Sequence, residues 1–157
     1  MLYRGKLVKI KGIMNRTTLK LKAEAPGFLD FTSQVERLLQ KWIQQSPLKS
    51  EGLLHLFLQH TSCALTINES YAPSAARDME RFLNHLAPEN LSFIEHTDEG
   101  PDDSPSHMKA LITGHSLSIP VINGELALGT WQGIYLCEFR DLTPERRVIV
   151  TYQGESS

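Results

Sequence analysis

The run from His96 to Lys109 packs two imidazoles and four carboxylates into a stretch with little apolar content. Neutral imidazole nitrogen and carboxylate oxygen are what zinc and similar divalent ions take from proteins, and a loop feeding a helix can aim several of them at one point. Gly100, Pro101 and Pro105 punctuate the run, so its first half reads as a loop. Ser104 followed by Pro105 predicts a helix cap and first helical position, which puts His107 in the first turn of a short helix ending at Gly114. Two imidazoles are too few for such a centre, and an acidic, solvated loop has the same composition. A third ligand must come from elsewhere in the chain.

His60 interrupts a strongly strand-like stretch. Leu53 to Leu58 is apolar, Gln59-His60-Thr61-Ser62 breaks it, and Cys63 to Ile67 resumes before Asn68-Glu69. A side chain at such a break is presented at a strand end or bend. Asn68 and Glu69 hold the same place one strand later, so the two ends could flank one cleft. His55 lies inside the apolar run and reads as a core histidine with a local partner. His115 directly follows Gly114 and reads as exposed.

The elements that must position these residues are those of one domain over residues 1–157, long enough to bury a core without disulfides or metal staples. With 16 Lys plus Arg against 18 Asp plus Glu and no basic run, the chain lacks the clustered charge of a nucleic-acid surface. It also lacks an apolar stretch of membrane-spanning length or a signal core. Cys63 and Cys137 sit in strand-like runs and read as reduced core residues; the cytoplasm is the expected compartment.

Residues 1–12 and 17–23 read as strands, the second by the alternation of Leu19, Leu21 and Ala23 with Thr18, Lys20 and Lys22. Pro26-Gly27 breaks the pattern. A helix follows to about Gln45, capped by Thr32 or Ser33, with Val35, Leu38, Leu39, Trp42 and Ile43 on one stripe. Pro73 opens a second helix, with Ala75, Met79, Phe82, Leu83 and Leu86 as its apolar stripe and Arg77, Asp78, Glu80 and Arg81 as a solvated face. Strands then cover residues 117–122, 125–128, 131–139 and 147–152, with an Asn123-Gly124 hairpin turn and a frayed tail from Gly154. Ile134 to Phe139 alternates with both faces partly covered, by a helix layer or by another subunit.

Three stretches, Gln59-His60-Thr61-Ser62 through Glu69, His96-x-x-Glu99-Gly100-x-Asp102-Asp103-x-Pro105-x-His107, and Gly129-Thr130-Trp131-Gln132-Gly133-Ile134, together closely resemble the YjbQ-like family, in order over nearly the whole chain. Asp141 to Glu145 departs from the Gly-rich turn of that family. The resemblance implies an α+β fold, a two-layer sandwich of mostly antiparallel sheet with helices, assembled as a homotrimer. It implies His60, His96 and His107 as metal ligands, and Glu69, Glu99, Asp102 and Asp103 as the acids, with Glu69 and Asp102 orienting the imidazoles.

The family is often labelled secondary thiamine-phosphate synthase, which implies joining a pyrimidine diphosphate to a thiazole phosphate with release of pyrophosphate. Arg140, Arg146 and Arg147 at one hairpin could meet the phosphates, or pair with Asp141 and Glu145 as surface charges. Trp131, Gln132 and Asn68 would hold a heteroaromatic ring, or Trp131 would pack at an interface. Diphosphate departure favours magnesium, whereas three imidazoles favour zinc. A metal-dependent hydrolase of a phosphorylated or lactone-like metabolite, using a water acidified by the ion, is the alternative. A trimeric metal- or metabolite-binding protein without turnover is the third.

Overall fold

The computed structural model describes residues 12–45 and 48–156. The strand expected over residues 1–12 lies outside them apart from its last residue. Strands β1 (Gly12–Leu21), β3 (Leu48–Leu58), β5 (Ser116–Ile122), β6 (Glu125–Leu126) and β8 (Arg146–Ser156) form one sheet in the order β1-β8-β3-β5-β6. A second sheet has the order β2-β7-β4, from β2 (Gly27–Asp30), β4 (Cys63–Glu69) and β7 (Gln132–Glu138). Every pairing is antiparallel. The helices are α1 (Thr32–Gln45), α2 (Pro73–Leu86) and α3 (Asp103–Thr113).

Period-two alternation decides how these pack. Leu54 and Leu56 of β3 and Val148 and Val150 of β8 face Leu65 of β4 and Ile134 and Leu136 of β7, and Val35 and Leu39 of α1 close the same core. The intervening residues of the smaller sheet, Ala64, Tyr135 and Cys137, point the other way and pack with Phe139, Leu83 of α2 and Ala110 of α3. The fold is therefore α+β with three layers, sheet on sheet on a helix pair, where two layers were expected. The two apolar faces of β7 are both covered within one chain, so its pattern requires no partner subunit.

Other departures have local causes. Helix α1 is capped by Asp30, whose Oδ1 accepts from the Thr32 amide at 2.9 Å and the Thr32 hydroxyl at 2.6 Å. The short β2, which the sequence reading missed, pairs with β7 from Gly27 to Asp30. Residues from Gly154 are not a frayed tail: β8 continues to Ser156, with Gly154 paired to Ile13 and Glu155 to Gly12. The Asn123-Gly124 turn forms as expected, with φ of 53° and 82°. On α2, Leu83 is buried, but Phe82 and Leu86 are 60% and 48% exposed. The outer face of the larger sheet carries exposed Leu53 and Phe57. His55 lies on that face as well, its Nδ1 3.0 Å from Ser118 Oγ, partnered but not in the core.

Candidate metal centre

Strand β3 belongs to one sheet and β4 to the other, so residues 59–62 are where the chain crosses between layers. That crossing, the loop before α3 and the turn after β7 meet at one end of the β4/β7 ladder, where Cys63 pairs with Glu138. Asp103 and His107 are one helical turn apart on the same face of α3. Helix α3 starts at Asp103, not with a Ser104 cap, and its N-cap residue Asp102 makes no side-chain capping bond. Asp102 is engaged elsewhere: its Oδ2 accepts from Arg140 Nε and from the Asp141 amide, each at 2.9 Å.

Three ligand atoms converge. His96 Nε2 lies 2.9 Å and His107 Nε2 3.2 Å from Asp103 Oδ2, and all three lie within 4.8 Å of one another. Asp103 is 2% exposed, while the His96 and His107 side chains are 52% and 37% exposed. Neither imidazole is aligned to donate to Asp103, and Oδ2 is buried without a hydrogen-bond partner. A buried carboxylate oxygen faced by two ring nitrogens with no hydrogen bond between them is the arrangement that a shared cation satisfies. The donor set, two imidazoles and one carboxylate, suits zinc or another nitrogen-preferring divalent ion and leaves coordination positions for water or substrate.

Each ligand has a holder. His107 Nδ1 lies 2.9 Å from the Thr61 carbonyl, which only accepts, so Nδ1 carries the proton and Nε2 presents its lone pair to the centre. Arg140 donates through Nη1 to Asp103 Oδ1, through Nε to Asp102, and through Nη2 to the Glu99 carbonyl at 2.8 Å. One guanidinium thus ties the loop to the helix and leaves Asp103 Oδ2 for the centre. Burial would raise the Asp102 pKa, but the Asp141 amide and Arg140 outweigh it and hold the carboxyl below the usual carboxylate value. The Glu99 carboxylate, 69% exposed, stands 3.7 Å from Arg140 Nη1.

His60 sits beside this group, not in it. Its Nε2 accepts from the Arg147 amide at 2.8 Å, which consumes the lone pair a metal would need. In the neutral ring Nδ1 is then the protonated nitrogen. Burial, and next the Arg146 guanidinium, lower the His60 pKa, with Glu138 pulling it upward. The third group facing the two imidazoles is Asp103, where the resemblance pointed to His60. His115 is not exposed as expected; it is half-buried, with Nε2 unpartnered.

The remaining site residues separate into two groups. The side chains of Arg140 and Arg146 are not presented to ligand, nor paired with Asp141 and Glu145. Arg146, 3% exposed, donates through Nε and Nη2 to the fully buried Glu138 and through Nη1 to Ser62 Oγ at 3.2 Å. Arg147 is exposed. Asn68, Glu69, Trp131 and Gln132 line an open groove at the far end of the β4/β7 ladder, where Glu69 pairs with Gln132. At about 3.3 Å per residue along β4, that groove is roughly 20 Å from the imidazole group. Glu69 therefore orients neither imidazole in its own chain. Tyr71, absent from the sequence reading, packs edge-on against Trp131 at 4.8 Å. The sequence reading also missed the Thr61 carbonyl and the Glu138–Arg146 pair; an acid inside the apolar run from Ile134 to Phe139 was the signal for the latter.

Residues 17–155 match the family described as "UPF0047 protein YjbQ-like". The chain is 46% identical over 138 residues to "UPF0047 protein YjbQ" of Escherichia coli O157:H7, covering 88% of this chain and 96% of that one. It is 36% identical to a UPF0047 protein of Synechocystis, over 87% and 90% of the two chains. Among solved structures it is similar to a protein of unknown function from Sulfolobus solfataricus, with TM-score 0.80, 25% identity and coverage of 92% and 99%. A conserved hypothetical protein from Thermus thermophilus superimposes with TM-score 0.72 at 34% identity, covering 85% and 97%. The motifs, the fold and these likenesses agree, and the chain belongs to the UPF0047/YjbQ-like family.

Proposed function

We propose that this protein is a metal-dependent hydrolase of a small phosphorylated or lactone-like molecule, with a divalent ion, zinc by donor chemistry, held by His96, Asp103 and His107. The carrying observation is the buried, unpartnered Asp103 Oδ2 faced by two imidazole nitrogens at 2.9 and 3.2 Å. An ion held there supplies Lewis acidity and an acidified water. The chain supplies the rest. Arg140 and the Thr61 carbonyl hold the ligands in place, the exposed Glu99 carboxylate beside the group accepts a proton, and the His60 Nδ1–H donates to a substrate oxygen.

The groove of Asn68, Glu69, Tyr71, Trp131 and Gln132 supports a second reading, thiamine-phosphate synthesis, because an exposed aromatic pair suits a heteroaromatic ring. With Arg140 and Arg146 engaged, Arg147 is the hairpin arginine free to meet a diphosphate, and magnesium would be the preferred ion. Ring and diphosphate could share one site only if the groove of one copy met the centre of another. A homotrimer that covers the exposed Leu53 and Phe57 face would provide such contacts. A trimeric binding protein without turnover uses the same surfaces. The free thiols of Cys63 and Cys137 suit the cytoplasm, and no helix among the described residues is long and apolar enough to cross a membrane.

Elemental analysis of purified wild type, His96→Ala, Asp103→Asn, His107→Ala and His60→Ala tests the centre. Metal should be lost from the first three variants and kept in His60→Ala; a metal-free wild type, or an Asp103→Asn variant that keeps its ion, overturns it. Hydrolysis of a panel of phosphate monoesters and lactones, abolished by chelator and restored by zinc, tests the activity. Pyrophosphate release from pyrimidine diphosphate and thiazole phosphate would favour the synthase reading.

A further inference from the structure

A cavity of about 430 Å³ lies between α2, α3 and the end of β7, on the face of α3 turned away from the imidazole group. Lys109 and Asp102 both line it and are seven positions apart, two turns of helix, whereas Lys109 and His107 are about 200° apart around the axis. Lys109 is 8% exposed. Its ammonium donates to Asn84 Oδ1 at 2.6 Å and stands 5.9 Å from the Phe139 ring. Among the described residues no carboxylate oxygen lies within 4.0 Å of it. A lysine buried to this degree ordinarily has an anion against it.

The surrounding carboxylates show what kind of anion fits. Asp102 is taken by Arg140 and the Asp141 amide, and Glu138 by Arg146. Glu80, Glu89 and Asp141 also line the cavity, and among the described residues none of their carboxylates has a cation within 4.0 Å. Among the described residues the cavity therefore has one buried ammonium, three carboxylates without a cation, and apolar walls from Phe28, Leu83 and Phe139. A metal ion does not fit this layout: Glu80, Glu89 and Asp141 do not bring their oxygens within 4.8 Å of one another, as among the described residues only His96, Asp103 and His107 do with their ligand atoms. A compact dianion such as inorganic phosphate would meet three like charges for one opposite charge.

We infer that this cavity binds a small zwitterion, with its carboxylate on the ammonium of Lys109, its own ammonium among Glu80, Glu89 and Asp141, and an apolar stretch between them against Phe28 and Phe139. The site is distinct from the proposed hydrolytic centre, because none of His96, Asp103 and His107 lines the cavity.

Isothermal titration of the purified, metal-loaded protein with ε-aminocaproate, caproate, hexylamine and inorganic phosphate tests it. ε-Aminocaproate should bind at least about tenfold more tightly than either singly charged analogue and more tightly than phosphate. Lys109→Gln should abolish that binding. A Glu80→Gln/Glu89→Gln double variant, which removes charge with almost no change of shape, should weaken it about fivefold or more, with bound metal unchanged. The inference is overturned if caproate, hexylamine or phosphate binds as tightly, if the double variant binds like wild type, or if ε-aminocaproate fails to bind at about 10 mM. Loss of metal from the double variant would also overturn it, by joining the cavity to the centre.

Discussion

The β4/β7 ladder ends in two different ways. At the Cys63–Glu138 end, the buried charges have fixed partners: Glu138 accepts from Arg146 and from the amides of Phe139 and Arg140, and Arg140 spans Asp102, Asp103 and the Glu99 carbonyl. At the Glu69–Gln132 end, Tyr71 and Trp131 stand 75% and 55% exposed. Asn68 Oδ1 accepts from the Glu69 amide at 2.8 Å and Gln132 Oε1 from the Gly129 amide at 2.8 Å, so both amide side chains support local turns. The first end holds donor atoms rigidly at a point, as ion chemistry requires. The second is a shelf that can take up a ring but presets no reaction.

If that contrast is right, mutations at the first end should cost far more. The largest effect should come from Glu138→Gln, which leaves the buried Arg146 guanidinium half-paired. A loss of about 3–5 kcal/mol is expected in denaturant unfolding, and a Glu138→Leu/Arg146→Met double variant should recover most of it. A Glu138→Gln protein as stable as wild type would mean that this end is not held by its charges. Next is Arg140→Lys, which keeps the charge but cannot bond Asp102, Asp103 and the Glu99 carbonyl together. Zinc affinity measured by competition with a chelator should fall about 10- to 100-fold. An unchanged affinity would remove Arg140 as the holder of Asp103.

Legibility followed period and motif. Elements with clean alternation or a helical stripe were readable, because one apolar face must find a core: β3, β4, β7 and α1 fell where their patterns put them. The layer count was not. Alternation in Ile134 to Phe139 says that both faces are covered but not by what, and the cover turned out to be a sheet on one side and α2 and α3 on the other. In the site, His96 and His107 were legible as candidate ligands from the run that holds them, whereas Asp103 stood only among its acids and not as the group the two imidazoles face. The engagement of His60 Nε2 was not legible, since it depends on a backbone amide 87 positions away in sequence. The splitting of Trp131 and Glu69 from the imidazoles was also hidden, because a motif in one dimension does not say which end of a strand it occupies. Glu80 read as a solvated helix face and Lys109 drew no reading of its own, and only the packing of α2 and α3 puts them in one cavity.

His60 offers a smaller effect at the first end. Its folded pKa is below the ordinary value of about 6.5, so the unfolded chain binds more protons in that window. Stability should therefore fall as pH drops below about 6.5 and through the folded value, by less than one proton's worth of slope. His60→Gln should flatten that limb in unfolding curves taken across pH 5 to 8. Coincident wild-type and variant slopes would mean that the imidazole is not held neutral by its burial and by Arg146.

The smallest effect should be at the shelf. Trp131 is 55% exposed and its ring packs on Tyr71, itself 75% exposed, so truncation opens no cavity in either core. Trp131→Ala should shift folding stability by no more than about 0.5 kcal/mol, as surface substitutions do. Zinc affinity should be unchanged within about twofold, since roughly 20 Å of paired strand separates the ring from the ligands. Both are measured on the isolated chain at concentrations too low for assembly. Raising the concentration then separates coupling between copies from coupling within one. If zinc affinity becomes sensitive to Trp131→Ala only under conditions where light scattering detects an oligomer, the shelf of one copy has been brought to the centre of another. If the variant loses zinc in the monomer, the two ends are coupled through the ladder itself, and the division drawn between a rigid centre and an open shelf fails.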